Sequence, residues 1–350
     1  GLRPSRYYVT DDNRLILASE VGVLDVDPKH VLKKSRLEPG KILLVDTKEK
    51  RIISDEEVKK AYASRQPYGE WVDQELKQLS ELKIPNKKLP THDSEDLHRL
   101  YKVFGYTYED LKDEIGPMAT TGIEPTVSMG HDVPLAVLSK RHANLFRYFN
   151  QHFAQVTNPP IDSLREKIVT DTTVYIGSDG NLLEESGQNC RVLEVHHPIL
   201  TGVDLMKIAE LDEPGLRAVK VSMLYYKNTS LEKALDQLNV HIDHAIAEGK
   251  NIVILSDRGV DENHLPIPSL LAVSSVEQHL VRTKKRTVVS LILESGEPKN
   301  VHDMATLLGF GARAINPYLA HEAITEMIDQ GLLDKDYHTA IEDYNAAILN

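Results

Sequence analysis

The sequence predicts an α/β protein, and three features of the chain indicate this class. Between residues 218 and 315 short apolar strands alternate with helices, which is typical of parallel strands joined by helical crossovers. Residues 1–54 instead contain short strand-like runs separated by turns. The length of 350 residues is enough for about two domains with real cores.

The first 54 residues are predicted to be a short β-rich piece. Strands are expected at residues 7–9, 15–18 and 41–46, with turns at Asp11-Asp12-Asn13 and Pro39-Gly40. A few short strands cannot bury both of their faces, so this piece needs a partner sheet.

Residues 55–115 are predicted to form a helical linker. Ser54 with Glu57 three residues later is a capping box, which predicts a helix over residues 55–64. A second helix is expected near residues 94–104. The rest of this segment is polar with scattered aromatic residues.

Residues 116–166 form a stretch without helical or strand periodicity. Glycines and prolines divide it into short apolar pieces, and a helix is expected only at residues 139–153. Such a segment suits either a well-packed connector between domains or a functional loop.

The remaining elements follow in order. Strands are predicted at residues 173–176, 191–195, 218–224, 251–255, 287–293 and 312–315, and helices at 231–246, 268–282, 301–308, 320–330 and 337–349. The last four strands and the helices between them are too few to close an eight-stranded barrel.

Composition excludes several classes of function. The net charge of -12 argues against nucleic-acid binding as the main role. No apolar run reaches the length of about 18 residues that a membrane helix needs. Cys190 is the single cysteine, which excludes an internal disulfide or thiolate cluster and suits a reducing cytoplasm.

The histidines do not predict a metal site. His196 and His197 are adjacent, so on a strand they point to opposite faces. His241 and His244 share a helix face, but no carboxylate-rich motif accompanies them. We therefore expect surface or capping roles for them, and a structural role for Cys190.

The segment Ser256-Asp257-Arg258-Gly259 follows a predicted buried strand, where α/β proteins present reactive loops. Asp257 could act as a base or accept a hydrogen bond from a ligand. Alternatively, Asp257 and Arg258 could pair with neighbouring loops.

Gly309 and Gly311 lie between a predicted helix and an apolar strand, in a unit like those that begin phosphate sites in (β/α) barrels. Pro317 follows that strand and removes a backbone donor that a working site would need. A vestigial phosphate-type loop is the resulting hypothesis.

Several sequence blocks resemble the glutamate synthase family, and they cover essentially the whole chain in order. Residues 1–4 (GLRP), 18–20 (ASE) and 37–40 (LEPG) are similar to the end of a class II glutamine amidotransferase domain. The blocks similar to the central domain are 128–139 (SMGHDVPLAVLS), 155–162 (QVTNPPID), 180–183 (GNLL), 256–259 (SDRG), 266–272 (PIPSLLA) and 316–320 (NPYLA). Ser163 stands where the family usually has proline, and a histidine-rich segment of the family is thinned at residues 276–279.

The resemblance implies three regions. Residues 1–54 would be the C-terminal end of the amidotransferase domain, and residues 55–115 would be a helical linker. Residues 116–350 would form the central domain, a rudimentary and incomplete (β/α) barrel-like fold. That domain would connect a glutaminase domain to a synthase domain and would couple both to the ammonia path between them. It would not be catalytic by itself. The parent enzyme converts glutamine, 2-oxoglutarate and a reductant into two glutamates.

The resemblance also implies cofactors and partners. FMN and an iron–sulfur cluster are expected in the synthase domain of the parent enzyme and none in this chain. The expected partners are the amidotransferase and synthase domains of the same polypeptide, with a reductase small subunit or ferredoxin, and neither nucleic acid nor membrane.

One catalytic position follows from the resemblance. Gly1 matches the glycine of the family's Asn-Gly oxyanion hole, whose backbone N–H stabilises the tetrahedral intermediate. The asparagine and the nucleophilic cysteine would lie upstream, so this chain is not expected to be a working glutaminase. Since it opens with Gly1 and not Met, a processed or excised chain is expected. The alternative is a free-standing partial-barrel enzyme that binds a flavin or phosphate ligand.

Overall fold

The computed structural model describes residues 5–20, 22–126, 138, 140, 143–149 and 160–350. These residues form two compact units. The first comprises the described residues of Gly1–Glu70 and Phe153–Asp171, and the second those of Trp71–His152 and Thr172–Asn350.

The strands are β1 Arg6–Thr10, β2 Leu15–Ala18, β3 Val31–Arg36, β4 Leu44–Asp46, β5 Arg51–Ile53, β6 Lys77–Gln78, β7 Val174–Gly177, β8 Val192–Val195, β9 Asp212–Glu213, β10 Leu216–Ser222, β11 Leu224–Tyr226, β12 Ile252–Ser256, β13 His264–Pro266, β14 Ser290–Glu294 and β15 Ala314–Asn316.

The α-helices are α1 Asp55–Ala63, α2 Tyr68–Glu75, α3 Ser94–Phe104, α4 Gly116–Thr121, α5 Ser163–Val169, α6 Gly202–Ala209, α7 Leu231–Ala247, α8 Ser269–Arg282, α9 Val301–Gly309, α10 Tyr318–Asp329 and α11 Tyr337–Leu349. A π-helical turn at Asp110–Ile115 runs directly into α4.

The first unit contains two small antiparallel sheets. β1 lies between β2 and β3, and β4 pairs with β5 in a hairpin. Helix α1 begins where the capping pattern predicts, since the Ser54 side chain accepts a hydrogen bond from the Glu57 backbone N–H. The Glu57 carboxylate binds Arg51, whose two terminal nitrogens lie 2.9 and 3.0 Å from its oxygens.

A five-stranded sheet organises the second unit. Its order is β15-β14-β12-β10-β9, with the first four strands parallel and β9 antiparallel at one edge. Every residue of β12 and β14 is buried, as expected for parallel strands that are covered on both faces.

Alternate residues of these strands belong to two different apolar layers. Val253 and Leu293 lie in a large cluster with residues of α3, α4 and α7 to α11. Ile254 and Ile292 lie in a smaller cluster with residues of β7, β8 and α6. The small sheet β6-β8-β7 therefore contributes, with α6, to the layer on one face of the large sheet, and most helices cover the other face.

The α/β class is confirmed, but the barrel-like prediction is not. In the described part of the chain no sheet closes on itself, because the large sheet ends at β15 on one side and at the antiparallel β9 on the other. The same described residues contain no helix that is long and apolar enough to cross a bilayer.

The glycine- and proline-rich stretch is described only in part. The helix predicted over residues 139–153 falls largely outside the described residues, which show a 3-10 turn at Leu145–Tyr148. Phe146 in that turn is fully buried in the larger apolar cluster, and Phe149 packs edge-on against Phe310 at 5.0 Å between ring centroids. These aromatic side chains pack within the second unit, and both alternatives for this stretch, a connector and a functional loop, stay predictions.

Candidate functional site

The carboxyl ends of the parallel strands bring together polar side chains from distant parts of the sequence. Ser256 at the end of β12 is in register with Glu294 at the end of β14, and Glu294 is in register with Asn316 at the end of β15. This is the edge at which open α/β sheets bind their ligands.

Glu294 is the centre of a buried charge network. Its side chain is only 2 % exposed, and one carboxylate oxygen accepts hydrogen bonds from the Ser256 hydroxyl and Lys220 Nζ, each at 2.6 Å. Arg258 Nε donates to the other oxygen at 2.7 Å. Burial alone would raise the pKa of Glu294, but Arg258, Lys220 and Ser256 outweigh it and lower the pKa, so the group is an anion.

Arg258 links this network to helix α10. Its Nη1 lies 3.1 Å from an oxygen of Glu322, and its guanidinium lies over the Tyr318 ring, 3.9 Å from the centroid. The other oxygen of Glu322 contacts Nδ1 of His92 at 2.8 Å. The guanidinium thus joins two strand ends to a helix and is held in place by both carboxylates.

Asp257 is next to Arg258 in sequence, but its environment is different. The carboxyl is 1 % exposed and accepts hydrogen bonds from the Ser295 hydroxyl and from the Gly296 backbone N–H, the latter at 3.1 Å. Burial raises its pKa to about 7 despite these donors. Asp257 therefore pairs with the loop that follows β14, as one of the two alternatives from the sequence expected, whereas Arg258 pairs with a strand end and with helix α10.

A cavity of about 340 Å³ opens beside this network, and we call it the edge cavity. Its polar wall contains Lys220, Arg258, Glu294, Asn316 and Glu322. Its remaining wall is formed by Leu89, Pro90, Thr91, Gly202, Leu205, Met206, Ala209, Tyr318, His321, Thr325 and Tyr337.

His321 lies at the edge cavity but is not suited to be a base at neutral pH. It is buried, and burial lowers its pKa to about 4, so it is neutral. Its Nε2 lies 3.3 Å from the Asn345 side-chain oxygen, and its ring packs edge-on against Tyr344. These contacts indicate a packing role.

The described residues hold no group of three or more His, Cys, Asp or Glu side chains that could bind a metal ion. In the part of the chain that the structure describes, the ionised groups at the sheet edge neutralise one another: Glu294 by Lys220 and Arg258, and Glu322 by Arg258. These ion pairs hold the strand ends and helix α10 together.

The residues predicted from the sequence lie elsewhere. Gly1 is outside the described residues. Gly309 ends α9, and Gly311 lies in the turn before β15, at the amino end of the strand and away from the edge cavity. The Glu277 carboxylate lies so close to Gly311 that an added Cβ would be 2.7 Å from its oxygen. The phosphate-type loop stays a prediction, and this carboxylate disfavours an anion there.

Glu294, Lys220 and Glu322 were not identified from the sequence. The available signal was a charged residue that ends an apolar run, Ser-Leu-Ile-Leu-Glu at 290–294. The partners of Glu294 are 36 and 74 residues away in sequence (294 − 258 and 294 − 220), so their proximity depends on the strand order.

Two protein families match separate parts of the chain. Residues 99–350 match the family described as "Glutamate synthase central domain", and residues 1–71 match "Glutamine amidotransferases class-II". The domain bounds at residues 54 and 115 stay predictions.

Curated relatives match nearly the whole chain. The "Glutamate synthase [NADPH] large chain" of Bacillus subtilis is 46% identical over 349 residues, which is 99% of this chain and 23% of the relative. "Glutamate synthase [NADH]" of Schizosaccharomyces pombe is 39% identical over 99% of this chain and 17% of the relative. "Ferredoxin-dependent glutamate synthase 2" of Synechocystis is 38% identical over 99% of this chain and 23% of the relative. The chain thus spans less than a quarter of the length of these relatives.

A solved flavocytochrome b2 mutant with pyruvate bound overlaps 35% of this chain and 33% of its own, at 13% identity and a TM-score of 0.25, which is too slight to relate the folds. The two family matches and the relatives together show that the chain belongs to the glutamate synthase family, with a class II glutamine amidotransferase segment followed by the central domain.

Proposed function

We propose that this chain is the connecting part of a glutamate synthase, which makes two glutamates from glutamine, 2-oxoglutarate and a reductant. It would couple the glutaminase domain to the FMN synthase domain and to the ammonia path between them, without catalysis of its own. One observation carries this proposal: an amidotransferase match and a central-domain match follow each other in a single chain.

The sheet edge supports a structural role. In the described chain, the cations and carboxylates at the edge are bound to one another, and Asp257 is buried against the loop that follows β14. Nucleophilic catalysis needs a nucleophile with a base beside it, and electrostatic catalysis needs a charge aimed at the substrate. The Ser256 hydroxyl instead donates to an ionised Glu294 that two cations hold.

The cofactors and partners belong to the same proposal. An iron–sulfur cluster needs three or four thiolates, and the single cysteine, Cys190, cannot supply them. We therefore propose that the cluster lies in the synthase domain of the parent enzyme, and we assign FMN to the same domain because the family resemblance implies it. A reductase subunit or ferredoxin would deliver electrons there, in the cytoplasm, and the oxyanion-hole role of Gly1 stays part of this proposal.

The test uses the complete polypeptide that carries this chain. Gly296 lies against Phe104, and a Cβ added there would be 2.7 Å from its ring, so Gly296→Ala and Gly296→Val disturb packing without removing a polar group. We expect both half reactions to survive: glutamine hydrolysis, and reductant oxidation with 2-oxoglutarate and added ammonium. Glutamine-dependent glutamate synthesis should fall, with free ammonia released.

Leu183→Ala is the matched control, because this side chain is 95 % exposed. Circular dichroism would verify that all variants fold. Loss of one half reaction itself in a folded Gly296→Ala enzyme would contradict the connecting role and indicate that this region takes part in catalysis.

The alternative function, a flavin- or phosphate-binding enzyme, is favoured only by the position of the edge cavity. Lys220 and Arg258 line that cavity but are bound to Glu294 and Glu322, so the lining offers no net positive charge to the phosphate of FMN. Titration of the chain with FMN, followed by flavin fluorescence, separates the two proposals. We expect no quenching, and saturable quenching would favour the alternative.

A further inference from the structure

The edge cavity contains a buried acceptor without a protein donor. Asn316 is 1 % exposed, and its Nδ2 donates to the Leu200 carbonyl oxygen at 2.8 Å. Since a carbonyl oxygen accepts only N–H or O–H donors, this bond fixes which end of the amide is Nδ2. The Oδ1 atom is buried and receives no hydrogen bond from the described residues.

Lys220 offers the complementary donor. Its Nζ is bound to Glu294 at 2.6 Å, but an ammonium has three N–H groups. The side chain is 46 % exposed and lines the same cavity as Asn316. The polar wall therefore has an unsatisfied acceptor at Asn316, and it can donate further hydrogen bonds to a ligand at Lys220.

The charges of the wall select the kind of ligand. Two cations, Lys220 and Arg258, face two carboxylates, Glu294 and Glu322, so the lining is neutral in sum. A dianion would be repelled by both carboxylates, and a simple cation would be repelled by both basic groups. A molecule that carries one positive and one negative group is complementary to both.

The other wall defines the body of the ligand. Leu205, Met206, Ala209 and Tyr337 give it an apolar surface. The volume of about 340 Å³ lies at the small end of the range for small-molecule sites. The body should thus be compact and uncharged.

We propose that the edge cavity binds a free α-amino acid with an uncharged side chain. Its ammonium lies near Glu294, Glu322 and Asn316, its carboxylate accepts from Lys220, and its side chain packs against Leu205 and Met206. This site lies at the carboxyl edge of the large sheet and is independent of the coupling role proposed above.

Calorimetric titration tests the proposal with glycine, L-glutamine, L-leucine and L-methionine as probes. We expect saturable binding of at least one of the larger three. The matched analogues of leucine are 4-methylpentanoate, which lacks the ammonium, and 3-methylbutylamine, which lacks the carboxylate. Each should bind about tenfold more weakly, or worse, than the parent amino acid.

Two variants locate the site. Met206→Trp fills the apolar side of the cavity without changing its charges, and Lys220→Gln removes the proposed carboxylate donor. Both should weaken binding about tenfold or more. Val240→Trp is the control, since Val240 is exposed on α7 and outside the lining.

Three outcomes would overturn the proposal: binding of none of the four amino acids, equal binding of the single-charge analogues, or full affinity in folded Met206→Trp. A failure of the coupling proposal would appear in the two half reactions and not in these titrations, so the two results are distinguishable.

Discussion

Two carboxyl groups at the same sheet edge have pKa values shifted in opposite directions, because among the described residues only Glu294 has cations in contact with it. Glu294 forms ion pairs with Arg258 and Lys220, and these lower its pKa although the side chain is buried. Asp257 receives only neutral donors, and burial raises its pKa to about 7. At the scale of the residue, partner charge and not depth decides the ionisation state.

This difference predicts a pH dependence of stability. A buried acid with a raised pKa keeps its proton in the folded state while the unfolded state loses it, so stability falls as pH rises between the unfolded pKa near 3.8 and about 7. Asp257→Asn removes this titration. Between pH 5 and pH 8 the unmodified chain should lose roughly 2–3 kcal/mol more free energy of unfolding than the variant.

Urea denaturation at both pH values measures this difference. Asp336→Asn is the control, since hydrogen bonds from Thr339 lower the pKa of Asp336, and that group is ionised throughout this pH range in both states. The same pH slope for Asp257→Asn and the unmodified chain would show that Asp257 is not shielded from water.

At the scale of the element, the turn from α9 into β15 depends on one of its two glycines. Gly311 has φ +120°, a conformation that side chains with a Cβ rarely adopt, and its missing Cβ leaves space for the Glu277 carboxylate. Glu277 in turn binds Arg286. Gly309 is the last residue of α9 and has no atom near its own Cβ position.

Alanine substitutions should therefore have opposite effects at the two positions. Gly311→Ala is expected to cost about 2 kcal/mol or more, since it adds backbone strain and displaces Glu277. Gly309→Ala should stabilise by about 0.5 kcal/mol, because alanine favours the helix. The chemical denaturation midpoints of the two variants measure these effects. Equal effects of the two substitutions would mean that the turn is not under steric constraint.

At the scale of the whole molecule, the second unit depends on a sheet that is covered on both faces. Successive residues of β14 enter different layers, Ile292 the smaller cluster and Leu293 the larger, and both are fully buried. Each layer covers one face of the sheet. Both faces should thus contribute to stability.

We expect Ile292→Ala and Leu293→Ala each to lower the free energy of unfolding by about 3 kcal/mol. Leu183→Ala, at an exposed position, should change it by less than about 0.5 kcal/mol. Equilibrium denaturation in urea measures all three. A near-neutral result for Ile292→Ala alone would show that the β7–β8 side of the sheet is not a true core.

The sequence by itself determined the α/β class and the elements whose signals are local. Helices α3 and α11 begin and end where predicted, because Asp93 and Asp336 cap their first turns and Gly105 ends α3 in a left-handed conformation. Strands β3 and β5 were missed, since Lys33 and Lys34 hide the alternation of β3 and β5 has only three residues. The family was also recognisable from ordered sequence blocks.

Tertiary structure alone decided the strand order and the edge network. The ions around Glu294 come from three strand ends and helix α10, and parallel pairing of strands far apart in sequence brings them together. Local propensity carries no information about which distant strand is a neighbour, so the open sheet and the edge cavity could not be predicted from it. Charge pairing and burial follow from that neighbourhood, which is why the site appeared only in the fold.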